Sequence, residues 1–113
     1  MIRRCVFIMT DAMVAFVSCA SREEAGEIAE VLVQERLAAC VNVVAGVESC
    51  YRWDGKVNWD SEYLLVIKTT VGALDRTRQR VLEVHSYDLP EFVAFKIDAG
   101  SEPYLNWIKD SVD

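Results

Sequence analysis

The sequence predicts an α+β fold: a ferredoxin-like βαββαβ sandwich with a long hairpin between its second and third strands and a C-terminal helix. Three observations carry this. Two capped amphipathic helical stretches alternate with apolar, β-branched runs; an Asp54-Gly55 turn joins two unusually long runs; and a helix start at Ser101 and Pro103 closes the chain.

Ala12 to Ala20 reads as the first strand, with Cys5 to Met9 as an optional backward extension, so residues 1–11 are an N-terminal extension or the start of that strand. The rest, 12–113, reads as one domain. Ser21 with Glu24 three residues on forms a capping box, and Ala25, Ile28, Ala29, Leu32 and Arg36 or Leu37 recur at helical spacing behind it. From Val41 to Trp53 the chain is rich in valine and aromatics. From Val57 to Thr69, Val57, Trp59, Ser61, Tyr63, Leu65 and Ile67 alternate with Asn58, Asp60 and Glu62. Asp54-Gly55 between these runs marks a tight hairpin, because both central residues of the favoured turn need positive φ. Gly46 predicts a bulge in the first of the two strands.

Thirteen strand residues at about 3.3 Å each extend roughly 40 Å, comparable with the full width of a domain whose radius of gyration is about 13 Å. The hairpin tip should therefore overhang. An overhanging arm bearing Tyr51, Trp53 and Trp59 is an apolar patch and an open edge that self-association would cover. Thr70 starts a second helix with Leu74, Thr77, Val81 and Val84 inward, ending near His85. Phe92 to Ile97 reads as a last core strand, and Leu105, Ile108 and Val112 form the inner stripe of the C-terminal helix.

With 52% hydrophobic residues, 113 residues suffice for a real core. A net charge of −6 argues against nucleic-acid and anionic-lipid partners, and no run of about 18 apolar residues suggests a membrane span. Cys5, Cys19, Cys40 and Cys50 form no Cys-x-x-Cys pair and suit a reducing cytoplasm. Arg3, Arg4 and Ser18-Cys19-Ala20 resemble parts of a signal peptide, but Asp11 breaks the apolar stretch and cleavage would remove the first strand; the expectation is an uncleaved chain.

His85, the sole histidine, shares the 85–91 segment with Tyr87, Asp88 and Glu91, a set of nitrogen and oxygen donors suited to a divalent ion; a helix-end histidine that only serves the helix dipole is the plainer reading. Cys19 and Cys40, ending the first strand and opening the second, are expected to approach on neighbouring strands as soft-metal ligands, or else to be buried as small hydrophobes. Tyr51, Trp53, Lys56 and Trp59 are candidates for lining a cleft between subunits, with Lys68 directing positive charge at an anionic ligand; interface packing is the alternative, and the preferred one for both tryptophans.

Four ordered motifs point to a family: Glu35-Arg36-Leu37-Ala38-Ala39-Cys40-Val41-Asn42, Tyr51-x-Trp53-x-Gly55-Lys56, His85-x-Tyr87-x-x-Pro90-Glu91 and Tyr104-Leu105-x-Trp107. From about Met13 to Val112 the chain resembles CutA, the divalent-cation-tolerance proteins. The resemblance implies a cytosolic homotrimer linked to copper and other divalent ions. It implies no established reaction and no obligatory cofactor. It also aligns Cys19 and Cys40 with cysteines discussed as copper ligands. Ser86 and Asp88 depart from the family's usual proline and glutamate. The runner-up is a PII-like trimeric signalling module with a small molecule in its inter-subunit clefts. An enzyme using His85 as base and Glu91 to orient it ranks last, since no nucleophile or phosphate loop accompanies them.

Overall fold

The computed structural model describes residues 10–113, so Cys5 to Met9 and most of the 1–11 segment lie outside the described residues. The elements run β1 (Ala12–Cys19), α1 (Arg22–Gln34), β2 (Cys40–Trp53), β3 (Lys56–Thr70), α2 (Leu74–Val84), β4 (Val93–Lys96) and α3 (Glu102–Ser111). The strands form one antiparallel sheet in the order β2-β3-β1-β4. The predicted βαββαβ order with its terminal helix is therefore observed.

Local chemistry explains the element boundaries. Ser21 is extended, and its hydroxyl accepts the Glu24 N–H at 3.1 Å, half of the expected capping box. The other half is absent: the Glu24 carboxylate turns away to accept the Ser86 N–H at 2.7 Å. Thr70 caps a single 3-10 turn, Val71–Ala73, that feeds α2. His85 ends α2 by adopting an extended conformation while its N–H still bonds Val81.

At the hairpin, Asp54 and Gly55 have φ of 55° and 74°, the pair of left-handed residues that an Asp-Gly turn was predicted to supply. Gly46, at φ 79°, sits where the β2–β3 register slips between Val44 and Val47. The bulge adds twist to the ribbon. The arm does overhang: the molecule measures 52 × 30 × 21 Å, and its radius of gyration is 15.4 Å. Trp53 and Trp59 on it are 58% and 66% exposed.

The main core lies between one sheet face and helices α1 and α2. Ala15, Val17, Leu65 and Ile67 meet Ile28, Leu32 and Val81, all fully or almost fully buried, and each large aliphatic contributes about 1.5–3 kcal/mol. A smaller cluster joins Leu105, Ile108 and Val112 of the C-terminal segment to Ala12, Ala39 and Ala73. The last strand is shorter than expected and is an edge, not a core strand. Ala94 packs on the core, but Val93 and Phe95 point to the other face, where Phe95 meets Phe16 edge-on at 5.2 Å and remains 49% exposed. That face also carries half-buried Val14, Leu64 and Val66, with Asn42 and Lys68 as its polar members.

Candidate functional site

The segment following α2 folds back against the base of the arm, and five hydrogen bonds hold it there. His85 is buried, with Nε2 2.8 Å from the Ser18 carbonyl oxygen, while Nδ1 accepts the Tyr87 N–H at 3.1 Å. Those bonds together require a neutral ring with its proton on Nε2. Tyr87 leans on the imidazole, ring centroids 4.7 Å apart, and donates its hydroxyl to Glu62 Oε2 at 2.7 Å. Ser18 donates to Glu91 Oε1 at 3.2 Å. Glu24 closes the set from α1 through Ser86.

Burial, then the hydrogen bond to Glu62, raises the Tyr87 hydroxyl well above its ordinary range. Tyr51 on the arm donates to Asp60 in a short bond that raises its own pKa. Burial tends to raise the Glu24 carboxyl, but the Ser86 bonds outweigh it and the net shift is downward.

Between the arm and the 86–91 segment lies a groove of about 660 Å³. The arm contributes Tyr51, Arg52 and Trp53 along β2 and Asp60 and Glu62 along β3. Tyr87, Asp88, Leu89 and Glu91 form the opposite wall, and Ser18 lies at its inner end. Five predicted residues, Tyr51, Trp53, Tyr87, Asp88 and Glu91, are thus brought together. His85 stands behind this wall as its support, both ring nitrogens engaged within the chain.

One expectation needs correction, and three other residues lie outside the groove of the single chain. Cys19 and Cys40 are not on neighbouring strands, because β3 lies between β1 and β2. Cys19 pairs with Tyr63 and Cys40 with Lys68, offset along the strands by roughly 17 Å. Burial raises the Cys19 thiol to about 12, which keeps it protonated and a core hydrophobe. Lys68 does not face the groove; its ammonium bonds Asn42 across the β2–β3 pair. Lys56 belongs to the turn, opposite Trp53, and Trp59 is paired with Cys50 outside the groove lining. Among the described residues no three His, Cys, Asp or Glu side chains converge at metal-binding distance.

Sequence reading missed Glu62, Asp60, Glu24 and Ser18. Alternation marks Asp60 and Glu62 only as polar positions on a strand. That Glu62 is 92% buried follows from the 86–91 segment packing over it, a contact between residues far apart in sequence.

Fold and groove define a class: a ferredoxin-like α+β protein whose projecting hairpin and post-helix segment enclose an acidic, aromatic-walled groove. The profile of the CutA1 divalent ion tolerance proteins matches residues 13–111, and this chain belongs to that family. It is 46% identical over 98 residues to the divalent-cation tolerance protein CutA of Thermus thermophilus, covering 87% of this chain and 95% of the relative. The chloroplastic CutA protein of Arabidopsis thaliana is 47% identical over 100 residues, 88% of this chain but 55% of the plant protein. The chain thus spans about half the length of that relative and nearly all of the bacterial one. Among solved structures, a Thermus thermophilus divalent cation tolerance protein superposes with a TM-score of 0.88 at 44% identity, covering 90% of this chain and 99% of the other. The CutA of Xylella fastidiosa gives 0.90 at 39%, covering 92% and 100%.

Proposed function

We propose that this chain is a homotrimeric, cytoplasmic, non-enzymatic protein of divalent-cation tolerance, copper included, whose groove binds such ions weakly. The observation that carries the reading is the set of carboxylates, Asp60, Glu62, Asp88 and Glu91, lining one groove against a single guanidinium, Arg52. Oxygen donors suit divalent ions such as Cu(II) better than Cu(I), which prefers sulfur. A set that does not converge would hold an ion loosely. The names of the relatives describe tolerance and no reaction.

Self-association is supported by the projecting arm and by the mostly apolar sheet face of Val14, Phe16, Leu64, Val66 and Phe95. Two further copies would cover both. Light scattering should give three chains per particle with and without copper; a monomer in both overturns the assembly. Calorimetry with Cu(II) and Zn(II) should show binding that a Glu62→Gln/Glu91→Gln variant loses. Binding unchanged in that variant overturns the groove as the metal site.

A further inference from the structure

Residues 86–91 form neither helix nor strand, and among the described residues they make no backbone–backbone hydrogen bond to the rest of the chain. Every tether runs through a side chain. The Ser86 N–H ends on the Glu24 carboxylate, the Tyr87 N–H on His85 Nδ1, the Tyr87 hydroxyl on Glu62 and the Ser18 hydroxyl on Glu91. The segment buries little of itself: Ser86, Asp88, Leu89 and Glu91 are exposed, Leu89 to 73%.

Its two ends are fixed. His85 is buried and held to the Ser18 carbonyl, and Phe92 packs on the main core. A stretch with little apolar burial and no ladder bonds, strung between fixed ends, belongs to the low-stability end of a fold and opens while the core stays closed. Pro90 restricts its own backbone and that of Leu89, which stiffens the segment beside its second end and favours movement in one piece over fraying. What the segment covers gives such movement a consequence. Glu62, only 8% exposed, lies beneath it, and Tyr87 leans on the imidazole of His85 with ring centroids 4.7 Å apart. Swinging outward bares Glu62, releases the Nδ1 lone pair of His85 from the Tyr87 N–H, and removes one wall of the groove.

We propose that residues 86–91 are a strap that opens as a unit between hinges at His85 and Phe92 and controls access to His85 and Glu62 at the inner end of the groove. The opening is a property of the metal-free chain and does not depend on the groove taking an ion.

As the sole histidine, His85 is a clean reporter. Diethyl pyrocarbonate acylates an imidazole nitrogen through its free lone pair, which the closed strap occupies at Nδ1. The test follows two rates in the full, untagged, metal-free chain: carbethoxylation of His85, located by peptide mass mapping, and amide exchange of Tyr87 by NMR. Both should hardly change with urea below the unfolding transition, as expected of an opening that exposes little surface. Ser18→Ala cuts the tether to Glu91, at the end of the strap away from His85. It should speed both rates by the same factor, at least about threefold, the share of one hydrogen bond. Tyr87→Phe should speed the labelling of His85 likewise, with particle mass unchanged in both variants. Rates that climb with urea as steeply as global unfolding would mean that the segment opens only with the whole chain, and would overturn the proposal. Unchanged rates in Ser18→Ala would reduce the motion to fraying at the helix end and overturn it equally. No metal is present, so this outcome is separate from that of the copper titration.

Discussion

The imidazole of His85, at the end of α2, reaches across to β1 and places Nε2 2.8 Å from the carbonyl oxygen of Ser18. Its other nitrogen accepts the N–H of Tyr87, so this one buried ring ties a helix end, a strand and a loop together. His85→Ala removes both bonds, leaves a buried carbonyl and an N–H without partners, and opens a cavity. The expected cost is about 2–4 kcal/mol, read as a shift of the urea midpoint at fixed protein concentration. A solvent-facing ligand histidine would instead change stability by less than about 0.5 kcal/mol.

That relationship shows what the sequence makes legible. Asp54-Gly55 and Gly46 announce their own geometry, because their local φ requirements are met by few residue types, and both features appear where expected. The helix stripes are legible for the same reason, as periodicity is local. The partners of His85, Glu24 and Glu62 lie 67, 62 and 25 residues away, and no spacing rule encodes contacts at such separations. Cys19 and Cys40 stay apart for a different reason: strands consecutive in sequence need not be neighbours in the sheet, and here β3 lies between β1 and β2.

Glu24 makes a pH prediction. Its folded pKa lies below the ordinary value of 4.5, so the stability it contributes is fully present above pH 4.5 and is lost as pH falls through the lower folded value. Glu24→Gln should therefore melt below the parent at pH 7, and the difference should shrink below pH 4.5. Thermal scans at pH 7, 5 and 3.5 check this; a difference that is constant across all three would show that the carboxylate charge plays no part.

The thiols should separate by reactivity. Cys50 is exposed on the arm, whereas Cys19 is fully buried with its pKa raised to about 12. At pH 8, iodoacetamide should leave Cys19 untouched until the chain unfolds, while Cys50 reacts in the folded chain unless the assembly covers the arm, as peptide mass mapping would show. The raised pKa also means that Cys19 stabilises the fold below pH 9, where both states hold the proton, and that this contribution is lost as pH rises toward 12. Cys19→Ala should therefore flatten the alkaline side of the stability profile.

The last prediction concerns one carbonyl. Leu37, just after α1, has its oxygen approached by two buried hydroxyls, Thr69 Oγ1 from β3 at 2.6 Å and Thr77 Oγ1 from α2 at 3.1 Å. Thr77 also lies 2.8 Å from the Ala73 carbonyl, so its single proton is shared between two acceptors. Thr69→Val or Thr77→Val preserves shape and removes one donor while the other still serves Leu37; each should cost about 1 kcal/mol. The double variant strips the carbonyl of both donors in a site that excludes water, and an unsatisfied buried acceptor costs about 1–3 kcal/mol more than a replaced one. The combined loss should then exceed the sum of the singles by about 1 kcal/mol or more in a urea-unfolding double-mutant cycle. Additivity within about 0.3–0.5 kcal/mol would mean that the two hydroxyls act independently, and that Leu37 is not the point at which strand, helix and loop are coupled.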